Sequence, residues 1–331
     1  MANTVGAAAI TYQGQPAPLW RAFGWGLLGA LVAFLINNVL NVGWEAPRLV
    51  DIATSGIAAA WQPLAIYLVC IGIGIAVALS RPDMALRADA ARIHAFNVYL
   101  LRSLFWAVFL IGIVDSVIAV LRVEGFLPGL VGEEMAREFT RSAFVAPMFH
   151  FPLIALGFVI GAFTRSLGFT WLALLIVASE LLIVFTRFIF SYEQALMGDL
   201  VRYWYAALFL FASAYTLYEE GHVRVDIYYA SRNSRMKGAL NTVGTILLGI
   251  LTVWVIMALA MNGKTSVVNS PVFNLEITQT GGNGMFIKYQ MAAFLAIFAV
   301  TMIIQFVSYL FESVADWRGE PGKRNIIGTS Q

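Results

Sequence analysis

The sequence predicts an all-α fold, a polytopic membrane helix bundle of about eight transmembrane helices with additional interfacial amphipathic helices. Three observations carry that expectation. Of 331 residues, 60% are apolar or aromatic and only 12% are charged, where an average soluble domain has about 45–50% and about 25%. The mean hydropathy is +0.78. The apolar residues also fall in runs near the roughly 20 that a helix needs to cross hydrocarbon. An open backbone cannot leave its amides unpaired there, so each run is helical by default. No stretch is long and polar enough to form a large water-soluble catalytic domain.

The first run, about 22–42, begins just after Arg21; no early basic region precedes it, so a cleavable signal is not expected. The second, about 62–80, is short and glycine-rich, and the third, about 100–121, holds Arg102 near its start and Asp115 further along. The fourth, about 143–162, contains Pro147 and Pro152, which should kink it or delay its start and leave part of it interfacial. The fifth to eighth lie at about 169–190, 202–219, 239–261 and 289–312. Segments 81–99 and 122–142 carry helix-favouring amphipathic sequence (MALRADAARIHAF and GEEMAREFTRSAF) and are expected as interfacial helices.

Basic residues orient the bundle. Arg81, Arg87, Arg92 and Arg102 follow the second run; Arg224, Arg232, Arg235 and Lys237 follow the sixth; Arg318, Lys323 and Arg324 follow the eighth. Placing all three groups in the cytoplasm requires an even number of helices between them, which eight runs supply. Both termini are then cytoplasmic, and the inner side holds the larger share of the 21 Lys and Arg.

Several chemistries find no support. The net charge of +2 is too small for a nucleic-acid binder. A lone cysteine, Cys70, excludes an internal disulfide framework and multi-cysteine metal sites. Of the three histidines, only His150 falls within a predicted span, while His94 and His222 fall in connections, so a haem held by two intramembrane histidines is not expected. No phosphate-binding loop, HExxH or GxSxG string occurs. Neither catalytic nor substrate-binding nor metal-ligating residues are expected, and no cofactor. The chain does not read as an enzyme.

The polar residues inside spans are more telling. Glu180 falls at the middle of the fifth run and Asp115 in the outer part of the third. Such a carboxylate must face protein, be paired or be protonated. It could serve an ion or proton relay, or a hydrogen bond between helices of this chain or to a partner; the absence of Gly/Pro-broken helices around these acids favours the second.

The most distinctive string follows the sixth run: Tyr218-Glu219-Glu220-Gly221-His222-Val223-Arg224-Val225-Asp226. Read as extended chain, it puts His222, Arg224 and Asp226 on one face. Tyr228 and Tyr229 follow, then Arg232, Arg235 and Lys237, which suit an anionic phospholipid surface. EEGHVRVDI just after a spanning helix resembles the signature of the small integral-membrane (Q-type) subunit of tripartite ATP-independent periplasmic (TRAP) transporters. The likeness extends upstream in register, to Arg187 in FTRFIF and to Asp199 followed by Arg202. Leu196 and Ala212 stand where the family usually has Trp and Gly.

The resemblance implies a four-helix small-subunit domain over 165–331, and leaves 1–164, with about four helices, as an N-terminal extension. It further implies a multi-pass protein of the bacterial inner membrane whose partners are a large TRAP membrane subunit and a periplasmic solute-binding protein. The large subunit would import an organic acid or related solute with sodium. Gly221, His222, Arg224, Asp226, Arg187, Asp199 and Arg202 would serve the subunit and lipid interface. The rival readings are a stand-alone transporter or channel and an anchor subunit of another membrane complex.

Overall fold

The computed structural model describes residues 14–58, 60–219, 229, 231–277 and 283–323. Among these, every regular element is helical. Eight helices are long and apolar enough to span a bilayer: α1 (Pro18–Trp44), α2 (Trp61–Leu79), α3 (Leu86–Val123), α4 (Ser142–Phe163), α5 (Phe169–Phe190), α6 (Ala195–Tyr218), α7 (Ser234–Ala260) and α8 (Lys288–Arg318). Each apolar run of the sequence falls on one of them, and the chain is a multi-pass membrane protein.

Two expectations need correction. The segment 81–99 is not a separate interfacial helix: α3 starts at Leu86 and continues unbroken for 38 residues. Leu86, Arg87, Asp89, Ala90, Ile93 and Asn97 are all buried, because this face packs on α1 and α8 rather than on a membrane surface. The second correction concerns α4. Pro147 does not delay the helix; it is taken up in a π turn, Ala146–His150, and the helix runs on to Phe163. A proline removes one amide donor, and a widened turn absorbs the mismatch without ending the helix. Segment 122–142 does form two short helices, Leu127–Val131 and Glu133–Glu138, with mostly exposed side chains.

The bundle is organised around α3 and α8. α8 packs on α1, α3, α6 and α7; α3 also packs on α4 and α6; α2 lies on α1 and α5 on α6. Glycines set the closest approaches, as expected where backbone proximity and van der Waals contact hold helices together in lipid. A Cβ on Gly29 would sit 2.3 Å from the carbonyl oxygen of Cys70, and one on Gly74 2.3 Å from that of Trp25. Gly157 and Gly161 likewise press α4 onto the α3 backbone at Ala107 and Ser103.

Along α8 the neighbours are staggered. α7 follows its C-terminal half, with Gly238 against Trp317 and Gly249 against Phe306. α6 follows its N-terminal half, through Tyr203 and Phe211 on Phe294. Two apolar clusters result, one of α1, α7, the first turns of α3 and the C-terminal half of α8, the other of α3, α5, α6 and the N-terminal half of α8. Both draw on residues before and after position 165.

Candidate functional site

Asp115 is fully buried in α3. Its Oδ2 accepts the backbone N–H of Phe286 at 2.7 Å, and its Oδ1 lies 3.3 Å from Nε2 of His150, itself fully buried in the π turn of α4. His150 Nδ1 lies 2.6 Å from the Tyr289 hydroxyl and 3.0 Å from Gln290 Nε2. The Tyr203 hydroxyl donates to Gln290 Oε1, which fixes that amide with its NH2 toward the histidine. An NH2 group only donates. His150 Nδ1 is therefore the acceptor, and the ring proton sits on Nε2, facing the Asp115 carboxylate.

Asp199, on the first turns of α6, is also buried, and its Oδ2 accepts the N–H of Met285 at 3.1 Å. Two carboxylates from different helices thus hold consecutive amides of the segment that leads into α8. Met285, Phe286 and Ile287 are almost fully buried. Arg122 closes the set from α3: its guanidinium lies 4.3 Å from the Phe286 ring centre and donates to the carbonyls of Phe139, at 3.2 Å, and Gly284. A buried carboxylate is better tolerated when amide donors meet it; each of these two carboxylates accepts one backbone amide, and Asp115 Oδ1 faces His150 without a hydrogen bond.

At the other end of α8, buried charges pair again. Arg87 meets Glu312 and Asp316, the latter at 2.7 Å, and donates to the carbonyl of Pro321 at 2.9 Å. Arg21 Nε lies 2.7 Å from Asp89, which also accepts from Trp25 Nε1 at 3.1 Å. Arg87 reads in the sequence as one more residue of a basic connection; it is in fact enclosed, with its side chain 2% exposed. No local signal reveals this, since its acidic partners lie more than 220 residues further on.

Among the described residues, the sequence-predicted ones are not gathered into one place. Gly221, His222, Arg224 and Asp226 lie outside the described residues. Their flanks are described: Tyr218 stacks on His94 with ring centres 3.3 Å apart, and the Tyr229 hydroxyl accepts from Asn241 Nδ2 at 2.9 Å. Arg187 is exposed at the end of α5, 3.6 Å from Glu193. Arg202 is exposed beside Asp199, at 3.7 Å. Glu180 is exposed on α5. Sequence reasoning missed the Gly284–Ile287 segment and the pairing of His150 with Asp115. The string GGNGMFIKYQ, with three apolar residues wedged between polar glycines and a helix start, was the available signal. Among the described residues no cluster of three or more His, Cys, Asp or Glu has the makings of a metal site.

Residues 176–316 match the family described as tripartite ATP-independent periplasmic transporters, DctQ component. Over those residues, a little under half of the chain, the sequence is similar to this family of transporter subunits. No curated protein and no solved structure matches the chain.

Proposed function

We propose that this chain, a DctQ-type small membrane subunit through residues 176–316, scaffolds the large membrane subunit of a TRAP transporter. The large subunit carries an organic acid or related solute across the bacterial inner membrane, coupled to sodium, after delivery by a periplasmic binding protein. Residues 165–331 form the small-subunit domain and 1–164 an extension of it, with both termini in the cytoplasm. Arg187, Arg202 and the Gly221–Asp226 segment serve the interface with the large subunit and with phospholipid.

The observation that carries this reading is the family match, and the state of the buried charges supports it. Arg21, Arg87 and Arg122 are each engaged by carboxylates, carbonyls or an aromatic ring of this chain. A carboxylate solute needs an open cationic or amide donor set, and these arginines, two buried and one half-buried, are already committed to packing. Reconstitution in liposomes tests the proposal. The chain alone should give no solute uptake, whereas the chain with the large subunit and the binding protein should give uptake that depends on a sodium gradient. Sodium-driven uptake by the isolated chain would refute it.

A further inference from the structure

Glu180 stands apart from the buried acids. α5 turns a stripe of Leu172, Leu175, Ile176 and Ser179 toward the bundle, with α6 as its main neighbour. The rest of the helix is open, with Val177 56% and Phe188 79% exposed. Glu180 lies on this open surface, eleven residues beyond Phe169 in a helix of 22. At about 1.5 Å per residue that is ~16 Å from either end, the middle of a hydrocarbon core about 30 Å thick. A carboxylate facing lipid at that depth is disfavoured even on permissive scales, and such a residue ordinarily faces a protein partner. Ala173, Glu180 and Arg187 recur every seven residues, so they share one line along the helix, and all three are exposed. The small Ala173 admits a second helix at close range.

We propose that this face of α5 docks on a spanning helix of the large membrane subunit, and that the helix presents a hydrogen-bond donor, amide or cationic, to Glu180 at mid-depth. The inference rests on the subunit reading above and adds the surface and the chemistry of its partner. A second copy of this chain fits poorly, because a two-fold contact sets the same patch against itself and would oppose Glu180 to Glu180.

The test uses the complex purified from cells co-expressing the large subunit, with p-benzoylphenylalanine in place of Val177 or Val184 on α5. Val69 and Ile73, both exposed on α2, serve as controls. Irradiation should join Val177 and Val184 to a peptide from a spanning helix of the large subunit, and the controls should not react with it. Glu180→Leu should lower the yield of complex about threefold or more, while Glu180→Gln, which keeps an acceptor, should stay closer to wild type. Cross-links only to lipid or to a second copy overturn the proposal, as does an undiminished yield with Glu180→Leu. Should the wild-type chain fail to co-purify with the large subunit, the subunit reading falls as well. Co-purification without α5 cross-links removes the α5 assignment alone.

Discussion

At the residue scale, the Asp115 carboxylate joins α3 to α4 and to the segment leading into α8 through two oxygen atoms: one holds the Phe286 amide, the other faces His150. Removing it leaves the buried Phe286 N–H unsatisfied, a cost of about 1–3 kcal/mol. Asp115→Ala should therefore lower the thermal unfolding midpoint in detergent clearly, and Asp115→Asn should lower it less, because its carbonyl oxygen still accepts the amide. Equal midpoints for Asp115→Ala and wild type would show that the buried bond contributes nothing. The sequence made the depth of Asp115 legible, since an acid in an apolar run stands out. Its partners were not legible, because Phe286 lies 171 residues away and backbone amides carry no sequence mark.

At the scale of elements, α1 and α2 form a hairpin whose contact is set by backbone and not by side-chain bulk. A side chain at Gly29 or Gly74 would overlap a carbonyl of the other helix. Gly29→Leu and Gly74→Leu should each separate the pair, which a cysteine cross-linking assay between α1 and α2 would register as lost disulfide formation, whereas Gly72→Leu, with open space around it, should retain it. All eight spans could be read from the sequence, because hydropathy over about 20 residues is a local property. The first turns of α3 could not. Their polar and apolar alternation is the same whether the apolar face meets a membrane surface or another helix, and only the position of α8 decides between them. The π turn in α4 was half legible: prolines announce a disturbance and leave its form open.

For the whole molecule, eight spans put the start of α3 and the end of α8 on one side, and Arg87 bonded to Asp316 agrees with that. Single cysteines at Arg92 and Lys323, both exposed, in a Cys70→Ala background should react with an impermeant thiol reagent only from the cytoplasm. Cysteines at Glu134 and Lys264 should react only from outside. Labelling of Arg92 and Lys323 from opposite faces would break the eight-span arrangement.

The position of α8 in the chain also bears on biosynthesis. Asp115, Asp199, His150, Arg87 and Asn97 all find partners in α8, in the few residues leading into it or in those just after it, and those residues are made after the seven helices before them. A chain emerging from the ribosome must therefore hold seven helices in or beside the bilayer while these polar groups wait. Polar and ionised groups are costly to leave in lipid, so a chain that has not yet made α8 should depend on shelter at the insertion machinery until α8 arrives. A ribosome that stops before residue 283 would release a bundle with its charges exposed, a ready substrate for membrane proteases.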